Sequence, residues 1–468
     1  MSLKRGCEDR LSAGFQYPFV NGFEKGLAGL WEAGRCLVVA DLVRTCVEYG
    51  KAAAGFQIVV GLREGFQLVV GRHHLGVALE RPPPFRLISY WKRLPLALSL
   101  PAQYNSESMI RPTVLLGMSG GVDSSVAAAL LVRQGYDVHG VTLQVWEHED
   151  DTVAVSKRWE ERGCCKVGIA RYVAQTLKIP HEVVDTREIF RAGVIDDFLA
   201  GYLDGTTPNP CVRCNERVKL RGLVELADAR EINFVATGHY VRLAQSEGLP
   251  ILQRAADLKK DQSYFLYRLR QPWLGRLLFP VGGMQKPEVW KEAEGLGLPV
   301  DELKESQEIC FVSHGDYRTF IEKEAPGAKR SGAFVDEEGR HLGNHEGIAF
   351  YTPGQRRGLG IATGRRLYVQ QVQPATNTVV LGTEESLRRD QCDVADLNLF
   401  DPSLLTGSAE VDVKVRYATP ATPATIMPLS EGTLRILFHE PQRALSPGQS
   451  AVFYRNERVL GGGIIQSF

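Results

Sequence analysis

The chain has 468 residues, 44% apolar and 24% charged, the balance of a globular protein of two to four domains rather than a fibrous, collagen-like or disordered one. Fifty-five Lys and Arg offset fifty-five Asp and Glu, so no global charge draws it to nucleic acid or membrane, and any basic site has to be local. No run reaches the roughly eighteen apolar residues of a membrane span. Nine cysteines without a secretory signal point to a cytoplasmic, reducing setting in which thiols are available for chemistry.

Residues 1–108 carry a near-repeat, Gly55-Phe56-Gln57-Ile58-Val59-Val60-Gly61 and Gly65-Phe66-Gln67-Leu68-Val69-Val70-Gly71, then Pro82-Pro83-Pro84. Two copies are too few for a solenoid, and no chemistry is legible there. The expectation is an N-terminal extension, poorly ordered or preceding a true start at Met109. From Thr113 the pattern turns α/β. A strand at 114–118 runs through a Ser/Gly loop into a helix ending near Gln134, and a second strand follows at 138–145. Helices at 166–177, 188–202 and 216–229 alternate with strands at 181–184 and 234–237, which predicts a Rossmann-like parallel sheet covered by helices over 109–320. Beyond it, short alternating runs such as 367–372, 410–415 and 434–438 predict a small β-rich middle domain at 321–383 and a C-terminal β-barrel at 384–468 that handles the substrate.

Ser119-Gly120-Gly121-Val122-Asp123-Ser124-Ser125 lies between that first strand and its helix, so backbone N–H groups and the positive end of the helix dipole converge on one point. Two glycines permit close approach of a phosphate, the serines offer hydroxyls, and Asp123 is placed to cap the helix or to help hold Mg2+. Neither the dinucleotide glycine fingerprint nor the lysine-bearing P-loop is present. The heptapeptide resembles the pyrophosphate (PP) loop of the N-type ATP pyrophosphatases, which split ATP to AMP and pyrophosphate while adenylating an acceptor.

Thr207-Pro208-Asn209-Pro210-Cys211-Val212-Arg213-Cys214-Asn215 sets two thiols three residues apart in a proline-rigidified loop leading into a helix, where helix-start N–H groups and Arg213 would lower a thiol pKa. A third, Cys310, lies in Ser306-Gln307-Glu308-Ile309-Cys310-Phe311. Three readings compete: a structural zinc site drawing a further ligand from Cys164-Cys165, inert buried cysteines, or sulfur chemistry in which one cysteine carries a persulfide and a second resolves it.

The phosphate loop and these two cysteine segments, with Ala236-Thr237-Gly238-His239-Tyr240, Lys260-Asp261-Gln262-Ser263-Tyr264-Phe265-Leu266, Thr352-Pro353-Gly354-Gln355-Arg356-Arg357-Gly358-Leu359-Gly360 and Pro447-Gly448-Gln449-Ser450-Ala451-Val452-Phe453-Tyr454, resemble the ordered motif set of the tRNA-specific 2-thiouridylases, the bacterial MnmA family with mitochondrial relatives. The match runs from about Met109 to Phe468. The resemblance implies ATP-dependent replacement of oxygen by sulfur at carbon 2 of the wobble uridine of tRNA, with Cys214 as nucleophile and Cys310 as persulfide carrier. It assigns ATP to Gly117, Met118, Ser119, Gly120, Gly121, Val122, Asp123, Ser124, Leu143 and Gly238. It assigns the target base to Asn209, Pro210 and Cys211, and further tRNA contacts to His239, Lys260, Asp261, Gln262, Arg416, Tyr417 and Gln449. Mg2+ and a sulfur donor, such as a cysteine desulfurase or a sulfur-relay protein, are implied with it. Some family members carry Asp where this chain has Cys211, which opens an alternative in which Cys211, Cys214 and Cys310 hold an iron–sulfur cluster. Another PP-loop ligase, with no need of paired thiols, is the further alternative. Arg356, Arg357, Arg365 and Arg366 form the local basic cluster that phosphate contact on a neutral protein requires.

Overall fold

Val114, Leu115 and Leu116 are fully buried, as a strand covered on both faces must be, and they divide between two cores. Val114 and Leu116 pack with Val126, Ala127 and Leu131, whereas Leu115 packs with Val141, Leu223 and Val235. In the computed structural model, which describes residues 111–146, 166–298, 309–312, 316–362 and 364–468 and three strands within 58–79, this segment is the centre of a five-stranded sheet. Its order is Leu277–Leu278, Phe234–Thr237, Thr113–Gly117, Asp137–Gln144, His181–Asp185, and every pairing is parallel. The chain leaves Thr113–Gly117 toward Asp137–Gln144 on one side and later returns to its other side, which makes the end of this strand a topological switch point.

The helices follow the expected order, with two departures. The predicted helix at 188–202 is Arg187–Phe190, a π turn at Arg191–Ile195 and Asp196–Leu203. The one at 216–229 starts earlier, as Pro210–Cys214, a π turn at Asn215–Lys219 and Leu220–Ala229. The π turns lie against each other: Arg217 donates from Nη1 to the Gly193 carbonyl at 3.0 Å and to Asp197 at 2.8 Å. A π turn leaves a carbonyl out of the regular ladder, open to such a side chain.

The middle sheet runs His341–His345, Gly332–Val335, Thr378–Gly382, Tyr368–Gln373, and contains a parallel pair between Gly332–Val335 and Thr378–Gly382 where the alternation predicted antiparallel strands alone. The C-terminal strands close on themselves. Arg388–Leu399, Thr433–Arg443, Thr422–Ser430, Ala409–Lys414, Ser450–Arg455 and Arg458–Ser467 form a ring, completed by pairing of the first with the last. A hairpin from the catalytic region, Val241–Ser246 with Leu249–Arg254, extends the barrel sheet through Arg458 opposite Gln253. Nothing in the period of that hairpin announces so distant a partner.

The chain divides into units 1–100 and 101–468. In the first, Ile58–Leu62, Phe66–Gly71 and His74–Leu79 make an antiparallel meander, and the near-repeat pairs with itself, Val59 opposite Val69 and Val60 opposite Leu68. Met109, Cys164, Cys165 and Ser306 to Glu308 lie outside the described residues.

Arg268, 8% exposed, joins the catalytic region to the barrel: it pairs with Glu216 at 2.7 Å and with Asp396 at 2.9 Å, and donates to the Asp396 carbonyl at 2.7 Å. Asn398 adds bonds to the Tyr267 and Leu269 carbonyls. Removing one member of a buried ion cluster strands the others. Arg268→Ala is therefore expected to cost about 3 kcal/mol, read as a lowered urea midpoint; an unchanged midpoint would show that Arg213, which pairs with the same two carboxylates, carries the junction alone.

Candidate active site

Residues 118–121 leave the switch-point strand and turn into the Val122–Arg133 helix. Gly120 has φ +74°, and a Cβ there would sit 2.0 Å from the Lys166 carbonyl oxygen. The turn is pinned from the same residue, whose N–H donates to the Ser119 carbonyl at 2.7 Å. Met118 is buried, with its N–H on Val141 and its carbonyl taking the Thr142 hydroxyl. The Ser124 and Ser125 hydroxyls both donate back to the Gly121 carbonyl, at 3.0 and 2.9 Å, so attraction for an anion rests mainly on the backbone N–H groups and the helix dipole. Gly238 closes the other wall: a Cβ there would lie 2.6 Å from the Ser124 nitrogen, so only glycine lets the 237–240 turn seat on the first turn of the helix. Leu143 lies at the inner edge of the neighbouring strand, 9% exposed.

Asp123 does not cap the helix, whose N-cap is Gly121 without a side-chain bond. Its Oδ1 instead accepts from the Tyr240 hydroxyl at 2.8 Å and from Lys286 Nζ at 2.6 Å. Lys286, 7% exposed, was not singled out in the sequence. The Gln285/Glu288 capping box and Pro287 marked a helix start there, but nothing local says that this helix end faces the phosphate loop.

The thiol segment is shaped by capping. Asn209 is the N-cap, its Oδ1 accepting from Val212 N–H at 3.3 Å, and Pro210 takes the first helical position. Cys211 is exposed and Cys214 buried. The π turn begins at the next residue, and Leu223 of the helix beyond it reaches to 2.8 Å of where a Gly117 Cβ would be, so the helix that continues the thiol segment is packed on the phosphate-loop strand. Arg213 is held by three carboxylates. It pairs with Glu216 at 2.9 Å, Asp396 at 2.8 Å and Asp197 at 3.8 Å, and its charge is compensated.

Cys310 is half-buried and falls in the same apolar cluster as Cys214. Its neighbour Phe311 is clasped by Phe320, Phe198 and Phe190 at ring separations of 5.0, 5.2 and 5.7 Å. Beside these thiols, Thr207 Oγ1 and Asn215 Oδ1 are buried with no hydrogen-bond partner among the described residues, polar atoms suited to a polar ligand. Among the described residues no three His, Cys, Asp or Glu side chains gather as a metal site needs. With Cys211 outside and Cys214 inside, the iron–sulfur alternative finds no three-thiol cradle.

Three family models cover the chain in series: a tRNA methyl transferase HUP domain over 112–314, a tRNA methyl transferase PRC-barrel domain over 318–383 and an aminomethyltransferase β-barrel domain over 389–465. The tRNA-specific 2-thiouridylase MnmA of Clostridium perfringens is 44% identical over 77% of this chain and 99% of its own length. Those of Pelotomaculum thermopropionicum and Clostridium botulinum are 45% and 42% identical, over 77% of this chain and 98% and 99% of theirs. The chain belongs to the MnmA family of tRNA-specific 2-thiouridylases.

Against that membership, the MnmA-type positions outside the phosphate loop sort into two groups. Asp261 and Gln449 are engaged internally. Asp261, 5% exposed, accepts from Ala255 N–H and from the N–H and hydroxyl of Ser263. Gln449 donates to the Thr207 carbonyl at 3.0 Å and accepts from Tyr264. Gln262 likewise ties its amide oxygen to Tyr240 N–H at 2.8 Å. Tyr417, 39% exposed, has its ring tilted against that of Phe265, centroids 4.4 Å apart. Arg416 is held by the Pro353 and Ala444 carbonyls and Ser446 Oγ, and burial, with Arg443 nearby, lowers its pKa. Arg416, Arg318 and Arg357 line an open cavity of ≈ 570 Å³ together with Tyr317 and Gln355. No helix among the described residues is long and apolar enough to cross a membrane.

His239 bonds through Nδ1 to Thr237 Oγ1 at 2.7 Å. Burial, reinforced by the Lys219 charge, pushes its pKa down to about 3, so at neutral pH its ring is neutral. The unfolded chain binds a proton at this residue below about pH 6.5 and the folded chain does not. Its contribution therefore lowers stability progressively as pH falls from about 6.5 toward 3, by at most about 1.4 kcal/mol per pH unit. His239→Gln should flatten the dependence of the urea midpoint between pH 7 and 5; superimposable profiles would contradict the burial argument.

Proposed function

We propose that this chain replaces the carbon-2 oxygen of the wobble uridine of tRNA by sulfur, at the expense of ATP. The observation that carries the reading is that the helical segment carrying Cys211 and Cys214 runs on into Leu220–Ala229, whose Leu223 packs onto the strand that feeds the phosphate loop, because thiolation of a carbonyl needs nucleotide activation and sulfur delivery within one base of each other. A uracil oxygen is a poor leaving group. Attack of that oxygen on the α-phosphorus of ATP expels pyrophosphate and turns the oxygen into part of AMP.

The terminal sulfur of a Cys310 persulfide, more acidic than a thiol and so nucleophilic at neutral pH, then attacks carbon 2 and AMP departs with the oxygen. The Cys214 thiolate attacks the Cys310 sulfur, the S–S bond to the product breaks, and 2-thiouridine leaves as a Cys214–Cys310 disulfide forms. An external thiol reductant supplies two electrons to reopen it, and a cysteine desulfurase or sulfur-relay protein reloads Cys310. The buried Thr207 and Asn215 oxygens, unpartnered among the described residues, suit the polar edge of an extruded base, and a single-stranded wobble base is cheap to extrude. Mg2+ takes one or two carboxylates plus phosphate oxygens, and Asp123 is the carboxylate that would hold it, supplying charge neutralisation at the phosphates.

tRNA docking rests on the local basic cavity lined by Arg318, Arg357 and Arg416, with Tyr417 offering a stacking face. Lys260, His239 and Gln262 adjoin the phosphate loop through the 237–240 turn.

Incubating the protein with ATP, tRNA and sulfide or a cysteine desulfurase should yield AMP and a thionucleoside together. Cys214→Ser and Cys310→Ser should each reduce thiolation below detection while leaving ATP and tRNA affinities within about twofold. AMP without a thionucleoside would favour another ligase, and a serine variant thiolating at the wild-type rate would refute the assigned roles. Arg357→Ala should weaken tRNA binding uniformly across sequences and flatten the log K against log salt slope by about 0.7 to 0.9; an unchanged slope would remove the cavity from the interface.

A further inference from the structure

The proposed cycle ends on a disulfide between Cys214, 6% exposed, and Cys310, half-buried beside the aromatic clasp of Phe311. Apolar walls that keep water from the adenylated base also keep out a protein reductant, and thiol–disulfide exchange needs the attacking sulfur to reach the bond. A cycle that closes on a buried link therefore needs a thiol that leads from solvent to the interior.

Cys211 has that position. Of the five residues Pro210–Cys214 it is the exposed one, while Pro210, Val212 and Cys214 are buried. The turn carrying the two thiols is regular: Asn215 N–H donates to the Cys211 and Val212 carbonyls, and the π turn begins only after Cys214. In such a turn the Cα atoms of residues i and i+3 lie about 5 Å apart, inside the window of about 4.4 to 6.8 Å that a disulfide spans, and their side chains share one face. Asn209 caps the turn, and Arg213, between the thiols, is held by Glu216, Asp396 and Asp197, so the exposed and the buried position keep their spacing. A Cys-x-x-Cys pair with one outer and one inner member is the arrangement of a dithiol redox pair.

We propose that Cys211 is a second resolving thiol, which carries the disulfide from the buried pair to the surface. The inference rests on the thiolation reading and concerns its last step. The Cys211 thiolate, its proton given to solvent, attacks Cys214 Sγ. The Cys211–Cys214 bond forms as the Cys214–Cys310 bond breaks, and the electron pair leaves on Cys310. This exchange is redox-neutral and returns Cys310 to the thiolate state, ready for a new sulfane sulfur from the donor protein. An external dithiol then attacks the exposed Cys211 sulfur, supplies two electrons, leaves as its own disulfide and restores Cys211 and Cys214 as thiols.

Protein loaded with persulfide by a cysteine desulfurase, then separated from donor and reductant, is given ATP and tRNA, quenched with N-ethylmaleimide and mapped by mass spectrometry. In the wild-type chain a Cys214–Cys310 link should give way to a Cys211–Cys214 link, with Cys310 open to the maleimide. In Cys211→Ser the Cys214–Cys310 link should persist. Measured against its own first turnover, this variant should recycle about tenfold more slowly when the reductant is a dithiol protein such as thioredoxin, and tris(2-carboxyethyl)phosphine, a much smaller reductant, should restore the ratio. A wild-type chain that ends its turnover with only the Cys214–Cys310 link overturns the proposal. So does a Cys211→Ser chain that recycles at the wild-type ratio, or a slowed ratio that the phosphine leaves unchanged. A thionucleoside formed without any disulfide at Cys214, or none formed at all, would instead sink the thiolation reading itself, a result distinct from these.

Discussion

The thiol loop is held by the far end of the chain. Thr207 N–H donates to the Pro447 carbonyl at 2.7 Å, and Gln449 returns a bond to the Thr207 carbonyl. Gly448 has φ +90° with its α-carbon so close that a Cβ would lie 2.9 Å from the Thr207 nitrogen. Both polar groups of one backbone residue are thus fixed by a loop of the barrel, just before Asn209 caps the helix that carries Cys211 and Cys214. Ser450 extends the grip, accepting from Tyr264 at its carbonyl and from Tyr267 at its hydroxyl, while Ser263 meets the Tyr454 hydroxyl. These bonds are buried, where an unmade partner is expensive. The catalytic loop therefore takes its shape only when the barrel is folded against it, and the barrel belongs to the active site as much as the phosphate-loop domain does.

The charges of this neutral chain separate into two populations. Arg213, Arg217 and Arg268 interlock with Asp197, Glu216 and Asp396, a cluster that spends its charge on joining helices to barrel. Arg416 is instead anchored by carbonyls and a hydroxyl, Arg318 lies over the Tyr351 ring, and Arg357 is exposed at the same cavity. A guanidinium oriented by neutral acceptors keeps its charge for a ligand. The first group serves stability and the second presents a polyanion with local positive potential that the formal charge balance conceals.

What the sequence revealed and concealed divides by range. The buried strand 114–118 and the Ser/Gly loop are local signals found where their patterns put them, whereas the thiol segment, expected as a loop leading into a helix, is itself helical from Pro210. The parallel order of the sheet follows from alternating elements and connection rules. The hairpin Val241–Ser246 with Leu249–Arg254 joining the barrel, the parallel pair in the middle sheet and the two π turns escape such reading, because periodicity reports which face is buried and not which distant strand or carbonyl waits there. The same limit explains Lys286, whose place beside Asp123 no local pattern shows, and Arg213, whose ion pair with Asp396 reaches a strand of the barrel. Asp261 and Gln449 show the converse: polar residues in a motif whose side chains are engaged within the protein, so their effect on a substrate passes through the loops they hold.

The burial of the thiols fits the order of events. An adenylated uracil is open to hydrolysis, which would return uridine and waste the nucleotide, so sulfur has to arrive in a setting poor in water. Cys214 is 6% exposed, and Phe311 roots Cys310 among Phe190, Phe198 and Phe320. In the proposed mechanism no plain thiol has to strike carbon 2. A persulfide ionises more readily and tolerates the apolar wall better. The plain thiol of Cys214 is needed only afterwards, when the target is a sulfur–sulfur bond and the water-sensitive intermediate is gone. In the proposed sequence the aromatic clasp thus shelters the sulfur that acts first.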